Sequence, residues 1–151
     1  MAAILRELIP SELAKASELC LRSKAFWGYD QAFMAACREE LTLTERDLIG
    51  GRTIGVFDEK GLAGVAQIAD DDDGTYLEKL FVDTDRMGAG FGRILFDWAK
   101  TAATNLGATE LIIEADPGAA PFYERVGCVR AGDAPSGSVA GRVLPRFVLP
   151  L

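Results

Sequence analysis

Apolar and polar residues alternate with two different periods along this chain, and the switches between them mark out its elements. Residues 3–9 form a short apolar-rich run closed by Pro10, which predicts a first strand and a turn. Ser11 stands as an N-cap before Leu13, Ala16, Leu19 and Cys20, whose spacing predicts a helix to about Ser23. The segment Ala25-Phe26-Trp27-Gly28-Tyr29 breaks that helix, and Asp30 caps a second one carrying Phe33, Met34, Cys37 and Leu41 on one side. From Arg52 the period shortens to two. Residues 53–58, 62–69 and 75–82 read as three strands of an antiparallel meander, turning at Asp58-Glu59-Lys60-Gly61 and at Asp70-Asp71-Asp72-Asp73-Gly74.

A longer amphipathic helix follows, with Ile94, Leu95, Trp98, Ala99, Ala102 and Leu106 on one face and Gly107 to end it. Residues 110–115 predict a buried strand around Leu111-Ile112-Ile113, and Asp116-Pro117 opens a short helix over 119–126 that stops at Gly127. Residues 128–131 and 144–149 close the chain as strands around a Gly/Ser/Pro-rich loop. No internal repeat, long linker or low-complexity segment divides the 151 residues, so 1–151 reads as a single domain.

Composition narrows the chemistry. The chain has 23 acidic and 16 basic side chains, a net charge of −7 and no histidine. Ser/His/Asp triads, Cys/His dyads and histidine-bearing zinc sites are therefore excluded, and proton transfer falls to carboxylate, tyrosine, cysteine, lysine or water. Cys20, Cys37 and Cys128 are odd in number and widely spaced, which suggests neither a disulfide framework nor a metal pair; they read as small core residues of a reduced, cytoplasmic protein. Charged residues arrive too early for a secretory leader, and no apolar run reaches the ~20 residues of a membrane span. The acidic balance argues against nucleic acid as a partner. The run Asp70 to Asp73 lacks the spaced ligands of a calcium loop and reads as a solvated turn, so no metal is expected.

The most informative segment is the strand, glycine-rich turn and helix from Leu77 to Trp98. Gly88, Gly90 and Gly92 free the backbone to bring N–H groups against a ligand, and the helix that follows adds the positive end of its dipole, equivalent to about +0.5 charge. A phosphate or pyrophosphate is the natural guest, with Arg86 and Arg93 flanking the turn as a local basic patch. Arg93 occupies the place of the third glycine of a dinucleotide fingerprint, and the Gly-Lys-Ser/Thr of a Walker turn is absent.

Leu77-Glu78-Lys79-Leu80-Phe81-Val82, the Gly88-x-Gly90-x-Gly92 turn and Ala119-x-x-Phe122-Tyr123-Glu124-Arg125-Val126-Gly127 together resemble the GNAT N-acetyltransferase superfamily, from about Leu77 to Arg130. The resemblance implies an α+β fold: a central mixed, mostly antiparallel sheet of about seven strands flanked by about four helices, in the order β-α-α-β-β-β-α-β-α-β-β. It implies acetyl-CoA as cosubstrate, with the backbone of Met87, Gly88, Ala89, Gly90, Phe91, Gly92 and Arg93 on its pyrophosphate, and Leu80, Phe81 and Val82 pairing through their main chain with its pantetheine arm. Asp116 and Phe122 complete the implied cofactor set. Met87 stands where members usually carry Gln or Arg, and Asp116 where many carry a pantetheine-binding Asn; Asp116 serves equally as an N-cap.

Tyr123 matches the tyrosine that in many members protonates the coenzyme A thiolate, or it packs under its helix. A phenol near ~10 facing a thiol near ~8.5 makes that transfer uphill by about 2 kcal/mol. Glu78 is a candidate base, directly or through water, or a solvent-facing strand residue; Glu39 and Glu40 on the second helix are weaker candidates, or form a solvated helix face. Trp27 and Tyr29 are candidates for an aromatic wall of the acceptor site or for packing of the helical corner, and Arg142 for binding an acceptor carboxylate. The expected function is transfer of an acetyl group from acetyl-CoA to a primary amine of a small molecule, peptide or protein, directly within a ternary complex. A non-catalytic acyl-CoA-binding module is the alternative; a homodimer is left open.

Overall fold

The structure is a computed structural model and describes residues 2–151. Seven strands form one sheet: β1 (Ile4–Arg6), β2 (Thr53–Asp58), β3 (Gly61–Asp71), β4 (Gly74–Val82), β5 (Glu110–Glu114), β6 (Val129–Pro135) and β7 (Val143–Pro150). Their spatial order is β1-β2-β3-β4-β5-β7-β6. Four helices accompany them: α1 (Leu13–Ala25), α2 (Gln31–Leu41), α3 (Phe91–Asn105) and α4 (Ala120–Arg125). This is the α+β architecture and element order expected from the sequence.

Alternation along the strands divides the core between the two faces of the sheet. Val56 and Ala66 share an apolar cluster with Phe91 and Leu95 of α3, whereas their neighbours Phe57 and Val65 pack with Ala16 and Cys20 of α1 and with Cys37 and Leu41 of α2. The third cluster, on the α3 side, joins Phe96 and Ala99 to Leu111, Ile113, Tyr123 and Phe147. All three cysteines are free and buried; burial pushes the Cys20 thiol up to about 12 and Cys128 up to about 11, leaving them inert core residues.

The helix starts follow local chemistry. Asp30 Oδ1 accepts the Phe33 N–H at 2.8 Å, as its position predicts. Ser11, by contrast, is not the cap of α1. It sits inside a 3-10 turn, Pro10–Glu12, and the Glu12 carboxylate reaches back to accept the Ile9 N–H at 2.9 Å. The strand that precedes it is also shorter than expected, because only Ile4, Leu5 and Arg6 find partners on β2. At the other end β6 runs on to Pro135, which reduces the Gly/Ser/Pro-rich loop to residues 136–142.

Every strand pair is antiparallel except one. β4 and β5 run parallel and share the single register pair Tyr76–Ile112. Beyond it they separate, while β4 stays paired on its other side through Gly64–Val82, Val65–Phe81 and Ala66–Leu80. Between Lys79, opposite Gln67, and Leu77, opposite Ile68, the register slips so that Glu78 has no partner, which is a β-bulge. The parity of β4 changes there: Leu77 belongs to the α3 side, but Phe81, four residues along and so expected on the same face, packs with α1 and α2.

Phe147 is fully buried at the centre of the α3-side cluster. Phe147→Ala is expected to cost about 3–5 kcal/mol, read as a lower urea midpoint at unchanged slope.

Candidate active site

The separation of β4 from β5 opens a cleft of about 710 Å³ that runs from the glycine turn to the C-terminal end of β5. One wall is the unpaired side of Leu80, Phe81 and Val82, a row of main-chain groups facing away from β3. Phe122 and Tyr123 of α4 form part of the opposite wall. The turn closes one end.

Gly88 and Gly90 adopt φ of 82° and 90°, where only glycine is unstrained. Gly90 is the N-cap of α3. The N–H groups of Gly88, Gly90, Phe91, Gly92 and Arg93 donate to no main-chain acceptor among the described residues, so they form a concave set of donors at the positive end of a fifteen-residue helix. Ala89 differs, since its N–H is spent on Arg86 O at 3.4 Å. Gly92 has another role than the one its spacing suggests: its backbone is helical, and a Cβ there would meet Phe122 Cε1 at 3.2 Å. Phe91 turns its side chain into the core.

Arg86 is not part of a free basic patch. Its guanidinium grips Asp58 through Nε at 3.1 Å and Nη2 at 3.2 Å, and reaches Asp83 Oδ2 and Leu62 O, both at 3.3 Å. Asp83 is held from the other side by Arg22 Nη2 at 2.8 Å. Arg86 therefore ties the turn to the β2–β3 hairpin and has no unpaired charge to offer a phosphate. Arg93 remains exposed on the rim, in a surface pair with Asp97 at 3.3 Å.

Tyr123 is 6% exposed and packs against Phe96, Phe122 and Phe147. Tyr123 lines the cleft, and its hydroxyl, which bonds to no side chain among the described residues, is not fully buried. Burial raises its pKa and keeps it protonated. Across the cleft the bulge presents Glu78. Its carboxylate is open to the cavity yet closely surrounded; desolvation raises its pKa, and Glu40 and Glu114 raise it further against the lowering effect of Lys79. Lys79 itself is buried and donates to Gln67 Oε1 at 3.1 Å.

Asp116 lies at the junction of four segments. Its Oδ1 accepts the Gly118 N–H at 2.9 Å, which is the capping role, while Oδ2 accepts from Lys24 Nζ at 2.9 Å and from the Tyr29 hydroxyl at 2.7 Å. Arg142 Nη2 donates to the Tyr29 oxygen at 2.6 Å and lies 3.4 Å from Asp116 Oδ2. Burial alone would raise the Asp116 pKa, but the hydrogen bonds from Tyr29, Lys24 and Gly118 outweigh it and hold the carboxyl below its ordinary value. Burial and the bond to Asp116 push Tyr29 up to about 12.

Of the expected aromatic wall, Trp27 lines the cleft and packs so closely on Gly118 that a Cβ there would lie 2.7 Å from its ring. Tyr29 is not on the wall. It stacks on Phe33 with centroids 3.9 Å apart and supports Arg142 from behind. Several charged lining residues lay outside the sequence-based set, among them Lys24 and Glu114, which carry no motif, Lys79, whose motif assigns it no role, and Glu40, whose place opposite β4 the periodicity of α2 cannot show.

A mixed sheet parted beside a glycine turn, with a phenol and a carboxylate across the gap, defines a cleft for an extended ligand with an anionic end. The model of the Acetyltransferase (GNAT) domain matches residues 22–140, and the chain belongs to this family. A comparison with curated proteins found no match. Among solved structures, the PaiA N-acetyltransferase of Thermoplasma acidophilum in complex with coenzyme A has a TM-score of 0.82 at 16% identity over 100% of both chains. A GCN5-related N-acetyltransferase of Rhodopseudomonas palustris also has 0.82, at 21% identity over 100% of this chain and 97% of that one. The N-acetylglutamate synthase of Neisseria gonorrhoeae, complexed with coenzyme A and N-acetyl-glutamate, has 0.70 at 12% identity, over 100% of this chain and 35% of that one.

The Asp116 contacts contribute stability above the unfolded carboxylate pKa of about 3.9, and it is lost as pH falls through the lower folded value. Asp116→Asn is expected to be less stable by about 1–3 kcal/mol near neutrality, with the difference shrinking below about pH 4 in urea unfolding.

Proposed function

We propose that this single domain is an acetyl-CoA-dependent N-acetyltransferase that passes the acetyl group directly to a primary amine in a ternary complex. The observation that carries the reading is the unpaired edge of Leu80, Phe81 and Val82 ending at the N–H groups of the glycine turn. An edge of alternating donors and acceptors suits an amide-bearing pantetheine arm, and the turn suits its pyrophosphate. No group of His, Cys, Asp and Glu among the described residues has metal-binding geometry, and the chemistry proposed does not call for one.

In this reading the pantetheine lies along β4, and the thioester carbonyl comes between Glu78 and Tyr123. The amine nitrogen attacks that carbon, the C–N bond forms, and the C–S bond breaks. Glu78 takes the proton that the amine must lose, directly or through water; its raised pKa brings it closer to the working pH of a general base. Tyr123 gives its proton to the departing thiolate and regains one from the bulk or from Glu78. Holding the reactants together supplies much of the acceleration, since effective molarities reach about 10⁵ M or more. Trp27 and Arg142 border the acceptor, with Tyr29 holding Arg142 in place.

Calorimetry with acetyl-CoA and coenzyme A release over an amine panel test the reading. Saturable binding and release support it; the absence of binding rejects it, and binding without release to any amine assigns the chain to a non-catalytic acyl-CoA module. Tyr123→Phe is expected to lower kcat by about 100-fold while the acetyl-CoA Kd stays within about twofold. Glu78→Gln is expected to lower kcat/KM and to remove the limb of the pH profile along which activity falls as the carboxylate protonates.

A further inference from the structure

The acceptor half of the cleft is electrically divided. Glu40 of α2, Glu78 of the bulge and Glu114 at the end of β5 form one cluster in which Glu40 and Glu114 both act on Glu78; the buried Lys79 beside Glu78 offsets one of the three charges, and none of the three forms an ion pair among the described residues. Lys24 and Arg142 form the other and share one carboxylate, Asp116, which leaves one positive charge in excess. Cys37 lies between the poles, where Lys24, Glu40 and Arg142 all act on its thiol.

Arg142 is held but not used up. Its two contacts, to Tyr29 and Asp116, both come from Nη2. Its guanidinium rests 5.0 Å from the Tyr29 ring centroid and 4.7 Å from that of Phe33. Nε and Nη1 have no hydrogen-bond partner among the described residues and are not fully buried, and Arg142 lines the cleft, so these donors are free to meet a ligand. A fixed guanidinium with free N–H groups is shaped for a carboxylate.

We infer that the acceptor is a small zwitterion, an amine that carries its own carboxylate, as a free amino acid does. This rests on the acetyltransferase reading above. The carboxylate meets Arg142, with Lys24 behind it, and the amino group lies toward Glu40, Glu78 and Glu114, next to the base. A polyamine satisfies the acidic side but brings a second cation toward Arg142, and an amino-acid amide or a peptide N-terminus leaves the guanidinium unpaired. The net charge of −7 attracts any cation, so discrimination falls to Arg142.

The test measures coenzyme A release with each of the common L-amino acids and its primary amide, with a polyamine and with a peptide capped at its C-terminus. Acetyl-CoA binding is followed in parallel by calorimetry. At least one amino acid is expected to show a KM about tenfold or more below that of its amide. Arg142→Gln should raise KM for that amino acid and collapse its advantage over the amide toward unity, and Arg142→Lys should restore part of it. Amides or the polyamine serving as well as every amino acid, with acetyl-CoA still bound, would overturn the zwitterion and leave the acetyltransferase reading intact; so would coenzyme A release with another amine but with no amino acid. Failure to bind acetyl-CoA would sink both. The wild-type comparison of acid with amide decides the question even if Arg142→Gln fails to fold.

Discussion

Hydrogen bonding between β4 and β5 is confined to one register pair, Tyr76–Ile112, and the layout of the site follows from what lies beyond it. Parallel strands ordinarily zip along their length. Here the bulge at Glu78 bends β4 away, so a continuous sheet becomes two antiparallel halves joined at a single bridge. The same bulge resets the parity of β4. It turns Glu78 toward α2 and the cleft while Leu77, one residue earlier, stays in the α3-side core. A one-residue insertion thereby opens the site and aims a side chain into it.

Charge is distributed around this opening by commitment rather than by count. Arg86, next to the turn, is spent on Asp58 and Asp83, so it fixes the backbone that presents the N–H donors. Arg142, from a remote loop, keeps free donors because Tyr29 and Asp116 occupy only one of its nitrogens. Two arginines of equal formal charge thus contribute a strut and an open binding group. The difference lies in how many carboxylates each one meets.

The sequence carried the fold well and the site unevenly, for physical reasons. Periodicities of two and 3.6 locate strands and helices because each element buries one face, and the turns at Gly107 and Gly127 and the cap at Asp30 are set by the chain within a few residues. The shortening of the first strand and the displacement of the α1 cap depend on β2 and on Glu12, which local propensity does not weigh. In the site, the glycine turn was legible because its conformations are local. Arg86 and Tyr29 were placed in the right neighbourhood but not in the right contacts, since their partners lie 28 and 87 residues away. The cleft position of Glu40 needs the packing of α2 across β4, and the bulge at Glu78 leaves no mark in composition or pattern.

The parting of β4 from β5 also bears on how the protein avoids its own kind. An unpaired run of strand is an invitation to another chain, and exposed sheet edges are a common route to association. In this sheet the reactive edge is internal: Leu80, Phe81 and Val82 look into a cleft bounded by the end of β5 and by α4, rather than out from the rim of the sheet. The true rims are the three-residue β1 and the irregular β6, whose pairing with β7 slips between Arg130 and Asp133. The backbone groups most able to recruit a partner are kept in the interior, where β5 and α4 stand in the way of a neighbouring protein strand.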